Sequence, residues 1–145
     1  MKFLKLSLVV LPLLLSGCAA TVHLSPADEA NSVACANLQV RLPDTADGLV
    51  RRDTDAQSTS AWGQPAAIIF RCGLPLVTVS ELPCVTSEGV DWLVDESKVP
   101  SYRFITFGRN PASEVIVDST KAIGVNALDD IASAIETQPA LANCG

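Results

Sequence analysis

The sequence predicts an α+β fold: a two-layer domain of about four mostly antiparallel strands with an N-terminal helix, a C-terminal helix and two disulfides. Apolar residues recur at helical spacing near the two ends of the domain. Between them lie short apolar or alternating segments separated by Gly, Pro and Asn, a pattern typical of strands and turns. Four of the five cysteines lie within the domain, and an even number in an exported chain indicates disulfides.

The first predicted helix begins at Ser25, which can act as its N-cap with Pro26 in the first helical position. The helix should end near Val40, and it carries Cys35. Residues 43–60 are rich in Asp, Thr, Ser and Gly. They are predicted to form a solvated loop with room for one short strand.

Four segments in the middle of the chain are predicted strands: residues 66–71, 90–94, 102–107 and 113–118. The first is an apolar segment bounded by Pro and Gly, so it should lie near the sheet centre with both faces covered. The last two should form a hairpin through a Gly-Arg-Asn-Pro turn, with residues 113–118 as an edge or half-exposed strand. Residues 74–88 are predicted to be a loop.

The second predicted helix lies near the C-terminus. Asn126 is a suitable N-cap, and Leu128, Ile131 and Ile135 share one face of the helix. Pro139 ends it. The two helices together supply the second layer of the predicted fold.

The N-terminus has the layout of a secretory signal. Lys2 and Lys5 precede an apolar run of about ten residues, too short for the roughly 20 that a membrane-spanning helix needs. The run ends in Leu15-Ser16-Gly17-Cys18, which is a lipobox. The alternative is an ordinary secretory signal in which Cys18 has no role. We predict a signal peptide over residues 1–17, a diacylglyceryl-modified Cys18 with acyl chains such as palmitate, a lipidated tether over residues 18–24 and a single domain over residues 25–145.

Charge limits the partners of the exported chain. The whole sequence carries 10 Lys and Arg against 16 Asp and Glu, and loss of Lys2 and Lys5 with the signal leaves a net charge near −8. Such an acidic domain has no electrostatic footprint for nucleic acid, and anionic lipids and wall polymers would repel it. The sequence therefore predicts attachment to the outer face of the cell membrane through lipid alone. An envelope protein or a wall component is the kind of partner to expect.

The remaining cysteines are predicted to form two disulfides. Assigning Cys18 to lipid leaves Cys35, Cys72, Cys84 and Cys144, for which three pairings are possible. We favour Cys72 with Cys84, which closes a short loop, and Cys35 with Cys144, which ties the ends of the domain together. A zinc site is disfavoured because the sequence has no Cys-x-x-Cys pair and its only histidine, His23, lies in the tether. No metal and no cofactor are predicted.

No catalytic residue can be assigned from the sequence. A serine or cysteine nucleophile usually needs a base, and His23 lies beyond the reach of a folded site. Carboxylate pairs such as Asp91 with Asp95, or Glu114 with Asp118, leave a carboxylate-dependent envelope or cell-wall enzyme as the alternative function. A polar pocket lined by two carboxylates would favour the enzyme, and a flat apolar patch would favour partnership.

A binding role has one candidate site, which is made of arginines and tryptophans. Arg71, Arg103 and Arg109 lie on or beside the predicted sheet, where guanidinium groups could bind carboxylate or phosphate. Trp62 and Trp92 could supply a stacking surface. The alternative is structural, with the tryptophans in the core and the arginines paired with acidic neighbours. Arg109 is expected in an exposed turn, where its replacement should leave stability unchanged.

Several short motifs together resemble a known family. They are Cys35 with Leu42-Pro43, Trp62-Gly63-Gln64-Pro65, Arg71-Cys72-Gly73, Val90-Asp91-Trp92 and the segment from Thr106 to Pro111. In order and spacing they resemble the actinobacterial family catalogued as domain of unknown function 3515, over nearly the whole mature chain. The resemblance implies a small cell-envelope lipoprotein, and it brings no activity, substrate or catalytic residue.

Overall fold

The computed structural model describes residues 20–145, so the predicted signal peptide and Cys18 lie outside the described residues. Eight strands in this part of the chain form one antiparallel sheet in the order β1-β2-β3-β4-β8-β7-β6-β5. The elements are β1 Thr45–Ala46, β2 Leu49–Arg52, β3 Thr59–Trp62, β4 Ile68–Leu74, β5 Cys84–Ser87, β6 Val90–Lys98, β7 Ser101–Thr106 and β8 Ala112–Asp118, with helices α1 Val33–Gln39 and α2 Gly124–Ile135.

The predicted four-stranded, two-layer α+β domain is wrong, because the sheet has eight strands and the described chain is mostly β. The segment 43–60, predicted as a loop, contains β1, β2 and the start of β3, and the predicted loop 74–88 contains β5. Three of the four missed strands, β1, β2 and β5, adjoin two-residue turns, Asp47-Gly48 and Glu88-Gly89, in which both residues have positive φ. Such turns match the twist of a tight hairpin.

The centre of the sheet is formed by β4 and β8. The predicted position of β4 near the centre is confirmed, and so is the hairpin of β7 with β8. Strand β8 was predicted to be an edge or half-exposed strand, which is wrong, because it lies between β4 and β7 and most of its residues are buried. Its acidic Glu114 suggested exposure to solvent, yet that side chain is buried. Only one face of β4 is fully covered, since Ile69 and Arg71 on the other face are half-buried.

Both helices pack on the same face of the sheet. Helix α2 contacts β1, β5 and β8, so it reaches both edges of the sheet. The predicted apolar face of α2 is confirmed, since Leu128, Ile131 and Ile135 are buried. Asn126 is not its N-cap, because the helix begins at Gly124 with Ile123 in the N-cap position. The carboxylate of Asp47 accepts hydrogen bonds from the Ile123 N–H and the Asn126 side chain. No helix within residues 20–145 is long and apolar enough to cross a membrane.

Helix α1 is shorter than predicted. Ser32 caps it by accepting a hydrogen bond from the Cys35 N–H, so Ser25 is not the cap. The residues just before α1 form turns instead of helix. The N–H of Glu29 donates to the carbonyl of Gly73 at 3.0 Å, which holds these turns against β4. The close approach requires glycine, because a Cβ at Gly73 would lie 2.5 Å from the backbone N of Ala30.

The prediction that Cys35, Cys72, Cys84 and Cys144 form two disulfides is confirmed, but the predicted pairing is wrong. The bonds are Cys35–Cys72 and Cys84–Cys144. Cys72 lies on the face of β4 that packs against α1, whereas Cys84 packs with the cluster on the opposite face of the sheet. A bond between Cys72 and Cys84 would have to pass through the sheet, so each cysteine instead pairs with the segment that covers its own face.

Candidate binding cleft

The face of the sheet turned away from α1 and α2 is here called the distal face. One part of it is covered by the C-terminal segment and by the loop that contains Val77. Leu93, Ile105 and Phe107 are buried there beneath Val77 and Ala142. The other part is open and holds a cleft of about 320 Å³, here called the arginine cleft. Its lining residues are Arg71, Asp95, Ser97, Lys98, Ser101, Arg103, Glu114 and Ile116.

A row of alternating charges crosses four strands in this cleft. Arg71 of β4 lies directly opposite Glu114 of β8. Arg103 of β7 lies diagonally across from Glu114 and directly opposite Asp95 of β6. Opposite charges in neighbouring cross-strand positions stabilise one another, so the strand register itself favours this arrangement.

Glu114 is the centre of the row. Its side chain is 1% exposed, whereas those of Arg71 and Arg103 are 32% and 36% exposed. Arg71 donates from Nε to Oε1 at 2.7 Å, and its Nη2 lies 2.5 Å from the same oxygen. Arg103 donates from Nε to Oε2. Both carboxylate oxygens are therefore occupied, and the two guanidiniums cover the carboxylate while remaining partly open to solvent.

Hydrogen-bond donors remain available above this triad. Arg103 binds Glu114 through Nε, and no described residue accepts a hydrogen bond from its Nη1 or Nη2. The Nη1 of Arg71 has a contact with the carbonyl of Ser25 at the long distance of 3.5 Å. Lys98 adds an exposed ammonium group. The lining thus holds three cations and two carboxylates, a local excess of positive charge in an acidic protein.

Asp95 is the second carboxylate of the cleft. Hydrogen bonds from the Ser97 side chain and backbone N–H lower the pKa of Asp95, and the positive charges of Arg103 and Lys98 lower it further. Asp95 therefore remains a carboxylate at neutral pH, and it partly balances the charge of Arg103.

The first described residues, 20–25, form an N-terminal arm that lies against the domain. Val22 exchanges backbone hydrogen bonds with Asp53 and Asp55. The N–H of Leu24 donates to the Asp55 carboxylate at 2.9 Å. Leu24 also lines a depression of about 200 Å³ that adjoins the cleft and shares Arg71 and Glu114 with it. The arm is thus one wall of the site.

The remaining residues of the predicted arginine and tryptophan patch lie elsewhere. Arg109 was expected in an exposed turn, which is wrong, because it is 6% exposed and donates to the Gln138 carbonyl. The C-terminal segment crosses this turn at Gly108, where a Cβ would lie 2.0 Å from the Ala142 carbonyl oxygen. Trp62 and Trp92 are fully buried in the core, so neither presents a ring for stacking.

Sequence reasoning placed Arg71 and Arg103 in the site but missed the residue that joins them. Glu114 was considered only as one of a carboxylate pair with Asp118. A Glu inside a run of β-branched residues is a weak signal of burial, and its partners follow only from the pairing of β4, β8 and β7.

One cluster of potential metal ligands is present among the described residues. Ligand atoms of Cys84, Asp91 and Cys144 lie within 4.8 Å of one another. The two sulfurs are bonded to each other, so neither is a thiolate that could bind a metal. Asp91 instead accepts hydrogen bonds from the Cys144 N–H and the Thr86 hydroxyl, which fixes the C-terminal segment.

The fold and the cleft define a class of protein, a disulfide-bonded single-sheet domain with an open, arginine-lined site on the face away from its helices. The chain belongs to the family described as protein of unknown function (DUF3515), which matches residues 15–143. The family indicated by the sequence motifs is therefore confirmed. No curated protein and no solved structure matches the chain.

Proposed function

We propose that this chain is a lipid-anchored protein on the outer side of the cytoplasmic membrane that binds an anionic group of an envelope component in its arginine cleft. The signal layout and the lipobox at residues 15–18 support the anchoring. The observation that carries the binding role is the arrangement of Arg71 and Arg103, which a buried Glu114 holds side by side with part of each guanidinium open to the cleft.

Stability alone is a poor explanation for this triad. Replacing buried ion pairs by apolar residues of similar volume is often neutral or stabilising. Apolar side chains fit on this face, since Ile69 and Ile116 flank the triad in neighbouring positions. Glu114 is better explained as a positioning residue that fixes two guanidiniums at one spacing, because preorganised donors lose less entropy when they bind an anion.

The alternative, a carboxylate-dependent enzyme, has some support because Asp95 and Glu114 both line the cleft. However, both oxygens of Glu114 accept hydrogen bonds from guanidiniums, and Asp95 is bound to Ser97. The other members of the predicted pairs are also engaged, because Asp91 accepts a hydrogen bond from the Thr86 hydroxyl and Asp118 accepts one from the Thr120 N–H. Carboxylates engaged in this way are poorly placed to accept a proton from a substrate, so the binding role is favoured.

Anion binding can be tested with the lipidated mature protein in micelles of dodecyl maltoside, a detergent without phosphate. Acetate and inorganic phosphate are titrated separately while the arginine Nε–H signals are followed by NMR. The signals of Arg71 and Arg103 should shift saturably. Arg103→Gln should abolish saturation, whereas Arg41→Gln, a change at an exposed arginine outside the cleft, should preserve it. If neither anion moves these signals, the cleft is not a binding site.

The anchor is tested separately. Cys18→Ala should abolish metabolic labelling with lipid and should move the protein from the membrane fraction to uncleaved precursor or soluble material. A variant that is processed and remains membrane-bound like the parent protein would contradict the lipobox assignment. This result does not depend on the cleft, so the two halves of the proposal can fail independently.

A further inference from the structure

We propose that the ligand of the arginine cleft is a phosphate ester carried at the membrane surface, the phosphate of a lipid headgroup. This inference rests on the anion-binding role proposed above. It adds the chemistry of the ligand and its source, which follow from the free donors, the apolar neighbours of the cleft and the course of the N-terminal arm.

The free donors fit a tetrahedral anion better than a planar one. Glu114 occupies the Nε edge of both arginines and also contacts Nη2 of Arg71. The donors that remain are the two Nη groups of Arg103, the second N–H of each Nη group of Arg71 and the ammonium of Lys98, which come from β7, β4 and the end of β6. Donors on three strands approach from different directions, as the several oxygens of a phosphate require.

The surroundings of the cleft fit a lipid better than free phosphate. The adjoining depression is lined by Leu24, Ile69 and Ile116 together with Thr59, Arg71 and Glu114. A charged site beside an apolar depression matches a molecule with a phosphate next to hydrocarbon or glycerol. Inorganic phosphate would leave the depression unused, so the apolar residues should add affinity only for the ester.

The arm places this site near the bilayer. Leu24 lines the depression, and the carbonyl of Ser25 contacts Arg71. Leu24 follows Cys18 by only six residues, which span at most about 20 Å. A protein anchored at Cys18 therefore holds the cleft within reach of lipid headgroups. Its net negative charge opposes general attraction to anionic membranes, so binding must depend on the local cations of the cleft.

The test uses the lipidated mature protein in dodecyl maltoside micelles, which carry no phosphate, and three soluble probes: inorganic phosphate, dihexanoylphosphatidic acid and acetate. Dissociation constants are measured from the Arg103 Nε–H and Lys98 signals. We expect the lipid phosphate to bind about tenfold more tightly than inorganic phosphate, and inorganic phosphate more tightly than acetate. Ile116→Ser should weaken only the lipid phosphate, because it removes apolar contact and leaves the cations in place.

A second pair of variants protects the test against loss of folding. Arg103→Lys keeps a positive charge beside Glu114 but removes the open guanidinium edge, so it should remain folded and lose about tenfold in affinity for both phosphates. Arg41→Gln should change nothing. Equal affinity for lipid phosphate and inorganic phosphate would overturn the lipid source. Stronger binding of acetate than of phosphate would overturn the ligand class and leave the proposed function intact, and binding of no probe would overturn both.

Discussion

Glu114 holds the two arginines of the cleft in place on the distal face. A carboxylate that is 1% exposed needs partners, and it has two, one on each oxygen. Because Arg71 and Arg103 come from the strands on either side of β8, either one alone still leaves Glu114 paired. The two arginines therefore substitute for each other in part, and single replacements should understate what the pair contributes.

This redundancy can be measured in a double-mutant cycle. Arg71→Ala and Arg103→Ala should each lower the free energy of unfolding by about 1–3 kcal/mol, because one acceptor oxygen loses its donor. The double variant should lose more than the sum of the two by at least about 0.5 kcal/mol, because only then is the buried carboxylate left without a cation. Urea unfolding of the four proteins gives the coupling. Strict additivity would show that the arginines do not share Glu114.

Arg109 illustrates how a turn sequence can mislead. The Gly-Arg-Asn-Pro segment favours a turn, and turns usually lie at the surface. Here the C-terminal segment passes over it, so Arg109 is buried and donates to the Gln138 carbonyl, while the Gln138 side chain donates to the Pro111 carbonyl. The contact joins residues 29 positions apart, and no local pattern encodes it.

Arg109→Ala should consequently be destabilising, in contrast to the expectation from sequence. The loss of a buried hydrogen bond should lower the free energy of unfolding by about 1–3 kcal/mol. Arg41→Ala is the matched control and should stay within about 0.5 kcal/mol of the parent, because Arg41 is exposed and binds only a carbonyl of its own turn. Thermal unfolding of both variants decides the matter. Equal melting temperatures would mean that the buried contact does not stabilise the fold.

At the scale of elements, the sequence predicts those that carry strong periodicity. The apolar stripe of α2, the position of β4 and the β7–β8 hairpin all follow from spacing and turn residues. Strand β3 was missed because it has only four residues, and β1, β2 and β5 were missed because they have two to four residues each and little apolar character. Their signal lay in the turns, since a residue before Gly at Asp47 or Glu88 can adopt the left-handed conformation of a two-residue hairpin.

The candidate site could be predicted only in part for the same reason. Arginines on a sheet in an acidic chain are visible in the sequence, and two of the three proposed ones do line the cleft. Their common partner depends on a register that pairs residues 43 positions apart. Trp62 and Trp92 carry no mark in the sequence that separates a core ring from an exposed one, and both are in the core.

The two disulfides serve different faces of the sheet, which gives a test of the pairing. Peptide mapping without reduction should find Cys35 joined to Cys72 and Cys84 joined to Cys144. Replacing Cys84 and Cys144 together by Ala should cost about 3–5 kcal/mol, given the loop that the bond closes. It should also increase hydrogen exchange in β6 and β7, where Leu93 and Ile105 lie under the C-terminal segment. Any other pairing in the map would contradict the structure.

For the whole molecule, α2 holds both edges of the sheet. Asp130 accepts a hydrogen bond from the N–H of Asp47 in the β1–β2 turn, and Asp129 binds Ser87 at the end of β5. Joining both edges to one helix curves the sheet around that helix and leaves the distal face on the outside. The N-terminal arm crosses this outer surface beside the arginine cleft, so the start of the described chain and the cleft lie on the same side of the protein.

The side chain of Asp55 contributes two of the contacts that hold the arm, because its carboxylate binds the Leu24 N–H at 2.9 Å and the His23 ring at 2.5 Å. Asp55→Ala should release the arm while leaving the sheet intact, because Asp55 lies outside the paired strands. Hydrogen exchange of the lipidated protein should then rise at Val22 and Leu24 and stay unchanged in β4 and β8. Asp28→Ala, at an exposed acidic residue with no such contact among the described residues, is the control. Retained protection at Leu24 in the Asp55 variant would show that the backbone bonds to residues 53–55 suffice to dock the arm and that the carboxylate is dispensable for docking.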